Sequence, residues 1–278
     1  MNILRGVPIA IISGLLGAHL FAAEITVSVD KPGAAISPTF YGAFFEDINR
    51  AGDGGLYAEM LQNRSFEDAA IPLGWMLLKT GNAEGAMSLD KTQPLNAKNP
   101  TCLKLEITNA GNGRVGIVNQ GFKGAPMDEK IPNADAQKKW FPKFAAAAEK
   151  SKQGLNVVQG KEYVLTLYAK SSAIATLTVA LEKQDGTSLA EQEIKGIDAG
   201  WKKLEVRFTA KGSDTNARLT ISANKPGTLF LDMVSLFPKD TWKGRPNGLR
   251  PDMAQMLADM HPGLLRFPGG SFSEAHQL

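Results

Sequence analysis

Between positions 75 and 237, apolar residues recur at every second position in a series of short runs, and Gly, Asn or Asp separates one run from the next. Leu103, Leu105 and Ile107 form one run, Tyr163, Leu165 and Leu167 another, Leu177, Val179 and Leu181 a third, and Leu204, Val206 and Phe208 a fourth. Leu219 with Ile221, and then residues 228–237 (TLFLDMVSLF), complete the set. A period of two places a strand's apolar side chains on one face. Such strands bury that face by stacking two antiparallel sheets, so the pattern predicts a jelly-roll-like β-sandwich over 75–237. With 43% hydrophobic residues in 278 positions, the chain has enough apolar surface for at least one such core.

The flanks follow a different pattern. Over 24–74, Ile25, Val27 and Val29 alternate with polar residues, which predicts a short strand ended by Lys31, Pro32 and Gly33. Residues 39–48 are apolar almost throughout, as in a strand buried on both faces of a parallel sheet. A turn at Gly52, Gly54 and Gly55 follows, and Leu56, Tyr57, Met60 and Leu61 then recur at helical spacing. Over 238–278, Pro251 is placed to begin a helix with Met253, Met256, Leu257 and Met260 on one face. Residues 264–267 form a strand running into Pro268, Gly269 and Gly270. The order strand, helix, sandwich, helix, strand predicts a sandwich inserted within a β/α unit.

Residues 1–23 carry one charge, Arg5, followed by an apolar run from Val7 to Phe21 and the small pair Ala22 and Ala23. That order reads as a signal peptide, cleaved after Ala22 or Ala23. A retained membrane anchor is the weaker alternative, because the run is shorter than the ~20 residues a spanning helix needs and Gly14 and Gly17 interrupt it. The mature chain is therefore expected in the periplasm or outside the cell. Its formal net charge of +3 falls by one when Arg5 leaves with the signal, and such a balance favours neither nucleic acid nor an anionic membrane as partner. Cys102 is the single cysteine, lies in an alternating run and has no histidine near it in sequence, which reads as a buried structural thiol. Residues 125–153, rich in Lys and Ala and containing Trp140, read as a solvated surface excursion.

Two clusters could carry chemistry. Glu46 and Asp47 close the first apolar run, and in parallel β/α folds ligands bind at strand carboxyl ends. Either residue could instead cap the strand or pair with Arg50 or Arg64. Arg266 stands before a Pro-Gly-Gly turn and Ser271, where glycine lets a ligand approach the main chain, although an ordinary strand exit would look the same.

Read together, residues 36–68 (ISPTFYGAFFEDINRAGDGGLYAEMLQNRSFED) resemble the opening barrel segment of glycoside hydrolase family 51, which contains the α-L-arabinofuranosidases. Residues 247–271 (NGLRPDMAQMLADMHPGLLRFPGGS) are similar to its second barrel strand and the loop after it. The stretch between them, closing in residues 229–238, looks like the carbohydrate-binding-module-type sandwich that one branch of the family carries at this place. The resemblance implies a fold that is α/β plus all-β: the first two strands of a (β/α)8 barrel interrupted by an antiparallel sandwich. It implies that Glu46 contacts an arabinofuranosyl ring without cleaving it, that Ser271 and Gly270 line the same subsite, and that Arg266 supports the site by pairing with a neighbouring carboxylate. Two features depart from the family pattern. Ser271 stands where Asn or Cys is common, and residues 125–153 have no counterpart.

Family members retain anomeric configuration, which takes two carboxyl groups ~5–5.5 Å apart. In the resemblance these glutamates lie on the fourth and seventh barrel strands, so no catalytic residue is expected within residues 1–278 and the chain by itself should be inactive. Arabinose-containing plant polysaccharides or oligosaccharides are the implied partners. The alternative reading is a non-catalytic carbohydrate-binding protein that stacks Trp75, Trp140 or Trp201 on sugar rings. Neither reading requires a cofactor. Asp232 is the candidate ligand for a structural calcium, or else a hydrogen-bonded residue of its strand.

Overall fold

The computed structural model describes residues 25–31, 33–46, 51–122 and 154–267. After β1 (Ala43–Phe44), the sandwich strands in chain order are β2 (Trp75–Lys79), β3 (Glu84–Asp90), β4 (Cys102–Asn109), β5 (Val115–Asn119), β6 (Leu155–Val157), β7 (Glu162–Lys170), β8 (Thr176–Glu182), β9 (Ser188–Lys195), β10 (Lys202–Thr209), β11 (Asp214–Ala223) and β12 (Gly227–Pro238). Helix α1 (Pro251–Asp259) and β13 (Leu265–Arg266) follow. One antiparallel sheet runs β10-β7-β12-β4-β3 and the other β2-β5-β11-β8-β9, with β6 also pairing β11.

The alternation read from the sequence is the core. Leu103, Leu105, Leu165, Leu167, Leu229 and Leu231 of the first sheet and Ile117, Leu177, Val179, Leu181, Leu219 and Ile221 of the second are all fully buried in one cluster. Each such side chain contributes roughly 1.5–3 kcal/mol when taken from water. β12 lies at the centre of its sheet, pairing with both β4 and β7, and a bulge shifts its register between Asp232 and Ser235. At the end of β8 in the second sheet, Glu182 is almost fully buried and accepts hydrogen bonds from Arg114 at 2.5 Å and Arg218 at 3.1 Å, so its charge is compensated.

Several expected elements differ. Ile25, Val27 and Val29 form no strand and lie open to solvent, because nothing described pairs with them. The apolar run at 39–48 contributes two strand residues, Ala43–Phe44, rather than a long buried strand, and Asp47 and Ile48 lie outside the described residues. No helix forms over 56–61. There the backbone bonds elsewhere: Ala58 N–H donates to Gly248 O at 3.2 Å, Met60 N–H to Leu236 O at 2.9 Å, and Leu61 N–H to the Glu59 carboxylate at 3.0 Å. Tertiary partners have replaced the i to i−4 ladder that helical spacing alone suggests. Helix α1 begins at Pro251 as expected, but the methionine face it presents is exposed, with Met256 at 70% and Met260 at 69%, and Ala254 is its buried residue.

The chain enters and leaves the sandwich at one place. Tyr57 bridges Leu249 in antiparallel fashion, and Arg250 N–H donates to Leu56 O at 2.9 Å. Glu59, whose side chain is fully buried, fixes this incoming segment to β12. It accepts hydrogen bonds from Ser235 Oγ and from Leu236 N–H at 3.0 Å, and the Arg64 guanidinium lies 4.0 Å away.

Candidate functional site

β1 and β13 lie more than two hundred positions apart yet pair in parallel, Ala43 opposite Leu265 and Phe44 opposite Arg266. Glycine makes this approach possible. A Cβ on Gly42 would sit 2.5 Å from the Leu264 side chain, and one on Gly263 would sit 1.9 Å from Pro38 O. Ala43 N–H donates to Leu264 O and Phe45 N–H to Arg266 O, each at 2.9 Å. Phe45 and Phe267 stack with centroids 5.6 Å apart, and the Arg266 guanidinium lies over the Phe44 ring at 5.3 Å. Side chains alternate along a strand, so Glu46, two residues past Phe44, falls on the side of the sheet that carries Arg266. It is half-buried.

A carboxylate at a strand's carboxyl end, next to a guanidinium held by an aromatic ring, can accept hydrogen bonds from ligand hydroxyl groups. Arg266 makes no ion pair among the described residues and is held by Phe44 instead. Arg64, an alternative partner for Glu46 or Asp47 in the sequence, faces Glu59. Gly270, Ser271, Asp47 and Arg50 lie outside the described residues, as does Trp140.

The other aromatic candidates separate cleanly. Trp75 is buried against Phe66, centroids 5.3 Å apart, and its indole N–H donates to Asn63 O at 3.0 Å, so it anchors the core and offers no face to a sugar. Trp201 stands at the edge of the outer face of the first sheet. Lys170 Nζ lies 5.1 Å from its centroid and 5.1 Å from that of Phe230, which makes a row of two aromatic rings around one cation. Phe230 gives no signal of its own in the sequence, because it stands within an alternating run whose core positions are leucines.

Cys102 is fully buried, its thiol directed at the Asp90 and Gln93 carbonyls, and burial pushes its pKa up to about 12. It should therefore be unreactive toward a disulfide reagent until the chain unfolds. Rapid labelling of the native protein would refute the structural assignment. Asp232 is likewise buried, and among the described residues no group of three or more His, Cys, Asp or Glu stands close enough to hold a metal ion.

A carbohydrate binding domain family matches residues 148–228. The extracellular exo-α-L-arabinofuranosidase of Streptomyces chartreusis is 38% identical over 254 residues, which cover 89% of this chain and 26% of that protein. Alpha-L-arabinofuranosidase 2 of Arabidopsis thaliana is 31% identical over 270 residues, 92% of this chain and 35% of that one. The solved structure of an arabinose-bound α-L-arabinofuranosidase, MgGH51, superposes with a TM-score of 0.67 at 32% identity, covering 86% of this chain and 36% of that one. Its homologues are the family 51 α-L-arabinofuranosidases. The chain spans about a quarter to a third of the length of these relatives. Their match runs through the flanks as well as the sandwich, since the carbohydrate binding domain alone occupies only 148–228.

Proposed function

We propose that this chain is the substrate-recognising front portion of an exported α-L-arabinofuranosidase that releases terminal arabinofuranosyl groups from arabinan or arabinoxylan. The observation that carries the reading is the parallel pairing of β1 with β13, which brings Glu46 and Arg266 to adjacent strand carboxyl ends across an inserted sandwich. In this reading Glu46 accepts hydrogen bonds from the furanose hydroxyls, Gly270 and Ser271 line the same subsite, and Arg266 supports it. Hydrolysis would proceed by double displacement, with the nucleophile and the acid–base glutamate supplied by later barrel strands. No cofactor is required. Export is supported by the extracellular relative and by the leader-like residues 1–23. No helix among the described residues is long and apolar enough to cross a membrane.

The chain of 278 residues, assayed with 4-nitrophenyl α-L-arabinofuranoside, is expected to show no hydrolysis above buffer. Turnover abolished by Glu46→Gln would overturn the division between recognition and cleavage. A second reading, carbohydrate binding by the sandwich itself, is favoured by the family match over 148–228. Retention of the chain on insoluble arabinoxylan would support it.

A further inference from the structure

Outside the β1–β13 site, the first sheet carries a cavity of about 510 Å³ on its outer face, between the segment following β3 and the bulge of β12. Its lining is Leu95, Asn96, Ala97 and Asn99 from the loop, and Tyr168, Asp232 and Met233 from the sheet. That volume is within the range of small-molecule sites. We propose that this cavity binds a neutral polyhydroxylated ring, a single sugar residue, through Asp232, Tyr168, Asn96 and Asn99. The proposal deepens the reading of the sandwich as carbohydrate-binding and rests on it.

Three independent observations point to a ligand. Asp232 is 2% exposed, and one carboxyl oxygen accepts from Met233 N–H at 2.7 Å, whereas the other has no protein partner among the described residues and borders the cavity. An acceptor at the base of a cavity, carried by a side chain so deeply set, is placed to receive a hydrogen bond from whatever fills that cavity. The backbone beneath it is distorted. Met233 adopts φ +47° inside the bulge, a left-handed conformation that is unfavourable for a non-glycine residue. Bulges of this kind re-aim side chains and cluster beside binding sites. Finally, the loop is held in place by the protein's own hydrogen bonds. Asp90 accepts from Thr92 N–H and Gln93 N–H, Lys170 donates to Gln93 Oε1 at 2.6 Å, and Thr101 donates through N–H and Oγ1 to Glu67. A preformed cavity avoids the ordering cost of building one on binding.

The chemistry of the lining selects among ligands. Among the described residues no lysine or arginine borders the cavity, so none of them neutralises an anion there. A divalent cation would find one carboxyl group in the lining, since Glu67, whose charge reaches Asp232, is occupied by Thr101. Amide, phenol and carboxyl groups beside the small apolar surfaces of Leu95, Ala97 and Met233 suit hydroxyl groups and ring C–H edges instead.

Titration of the whole chain with L-arabinose and with xylotriose, followed by calorimetry and by NMR of the amides at Asn96, Asn99 and Met233, tests the assignment. We expect saturable binding of at least one probe, weakened at least tenfold by Ala97→Trp, which fills the cavity from an exposed loop position. Asp232→Asn and Tyr168→Phe should each weaken it severalfold. Binding unaffected by all three substitutions would overturn the pocket and leave the carbohydrate-binding reading standing. No binding of either probe or of arabinoxylan would remove both. Shifts at these amides seen only with calcium chloride and erased by EDTA would replace the sugar with a cation and overturn the proposal.

Discussion

Replacing Glu59 with alanine should lower the unfolding free energy by about 3 kcal/mol, because three donors lose their acceptor at once. The fully buried carboxylate accepts from Ser235 Oγ, Leu236 N–H and Leu61 N–H. Water cannot replace it readily in a site closed by β12 and the incoming segment. Glu59→Gln should cost less than about 1 kcal/mol, since the amide oxygen keeps the two backbone bonds. The charge itself contributes little. Burial pushes the Glu59 carboxyl above its ordinary range, against the pull of Ser235, the two amides and Arg64. A raised pKa means that its contribution is fully present below the ordinary value and declines as pH rises through the folded one. Denaturant unfolding of the two variants at neutral pH decides the matter, and equal losses for alanine and glutamine would show that the charge, not the acceptor geometry, holds the junction.

The second large effect carries the opposite sign. Asp232→Asn should stabilise the fold at pH 8, by about 2 kcal/mol, and change little near pH 4. Burial, reinforced by the nearby Glu67 carboxylate, raises the Asp232 pKa from 3.8 to about 7. Its stabilising contribution is thus present below the ordinary value near 4 and is lost as pH rises to 7, where ionisation places an uncompensated charge against the sheet. The Cys102 thiol beside it, pushed up to about 12 by burial, is neutral across this range of pH. Asparagine keeps the acceptor for Met233 N–H without ever ionising. Melting temperatures of the two proteins measured from pH 4 to pH 8 should diverge only in the upper half. Parallel curves would mean that Asp232 stays solvated or ion-paired.

What the sequence revealed depended on whether a residue's neighbours were local. Leu165 and Leu167, or Leu229 and Leu231, show their burial through period two because each strand's inner face is apolar and its outer face is not. β9 was illegible because its buried positions, Leu189, Ala190 and Ile194, fall out of step around the exposed Glu191, Gln192 and Glu193. The segment at 56–61 carried helical spacing, yet Ala58 and Met60 donate to Gly248 and Leu236, almost two hundred positions away, and no local pattern encodes that choice. Within the candidate site, Glu46 and Arg266 stood out as charges at the ends of apolar runs. Their juxtaposition became visible only with the pairing of β1 and β13. Asp232 drew notice as an acid in an alternating strand, but the bulge that re-aims it leaves no mark in composition.

The clamp at Tyr57 and Leu249 has a consequence for how the chain folds. Before the sandwich exists, bringing β1 to β13 means closing a loop that contains most of the protein, against a large entropy and for only two residue pairs. Once the sandwich has formed and Leu56, Tyr57 and Ala58 have docked on Gly248, Leu249 and Arg250, the remaining search is confined to two short arms that start side by side. The inserted module therefore acts as a kinetic splint. It must fold first, and the strand ends that carry Glu46 and Arg266 meet only afterwards.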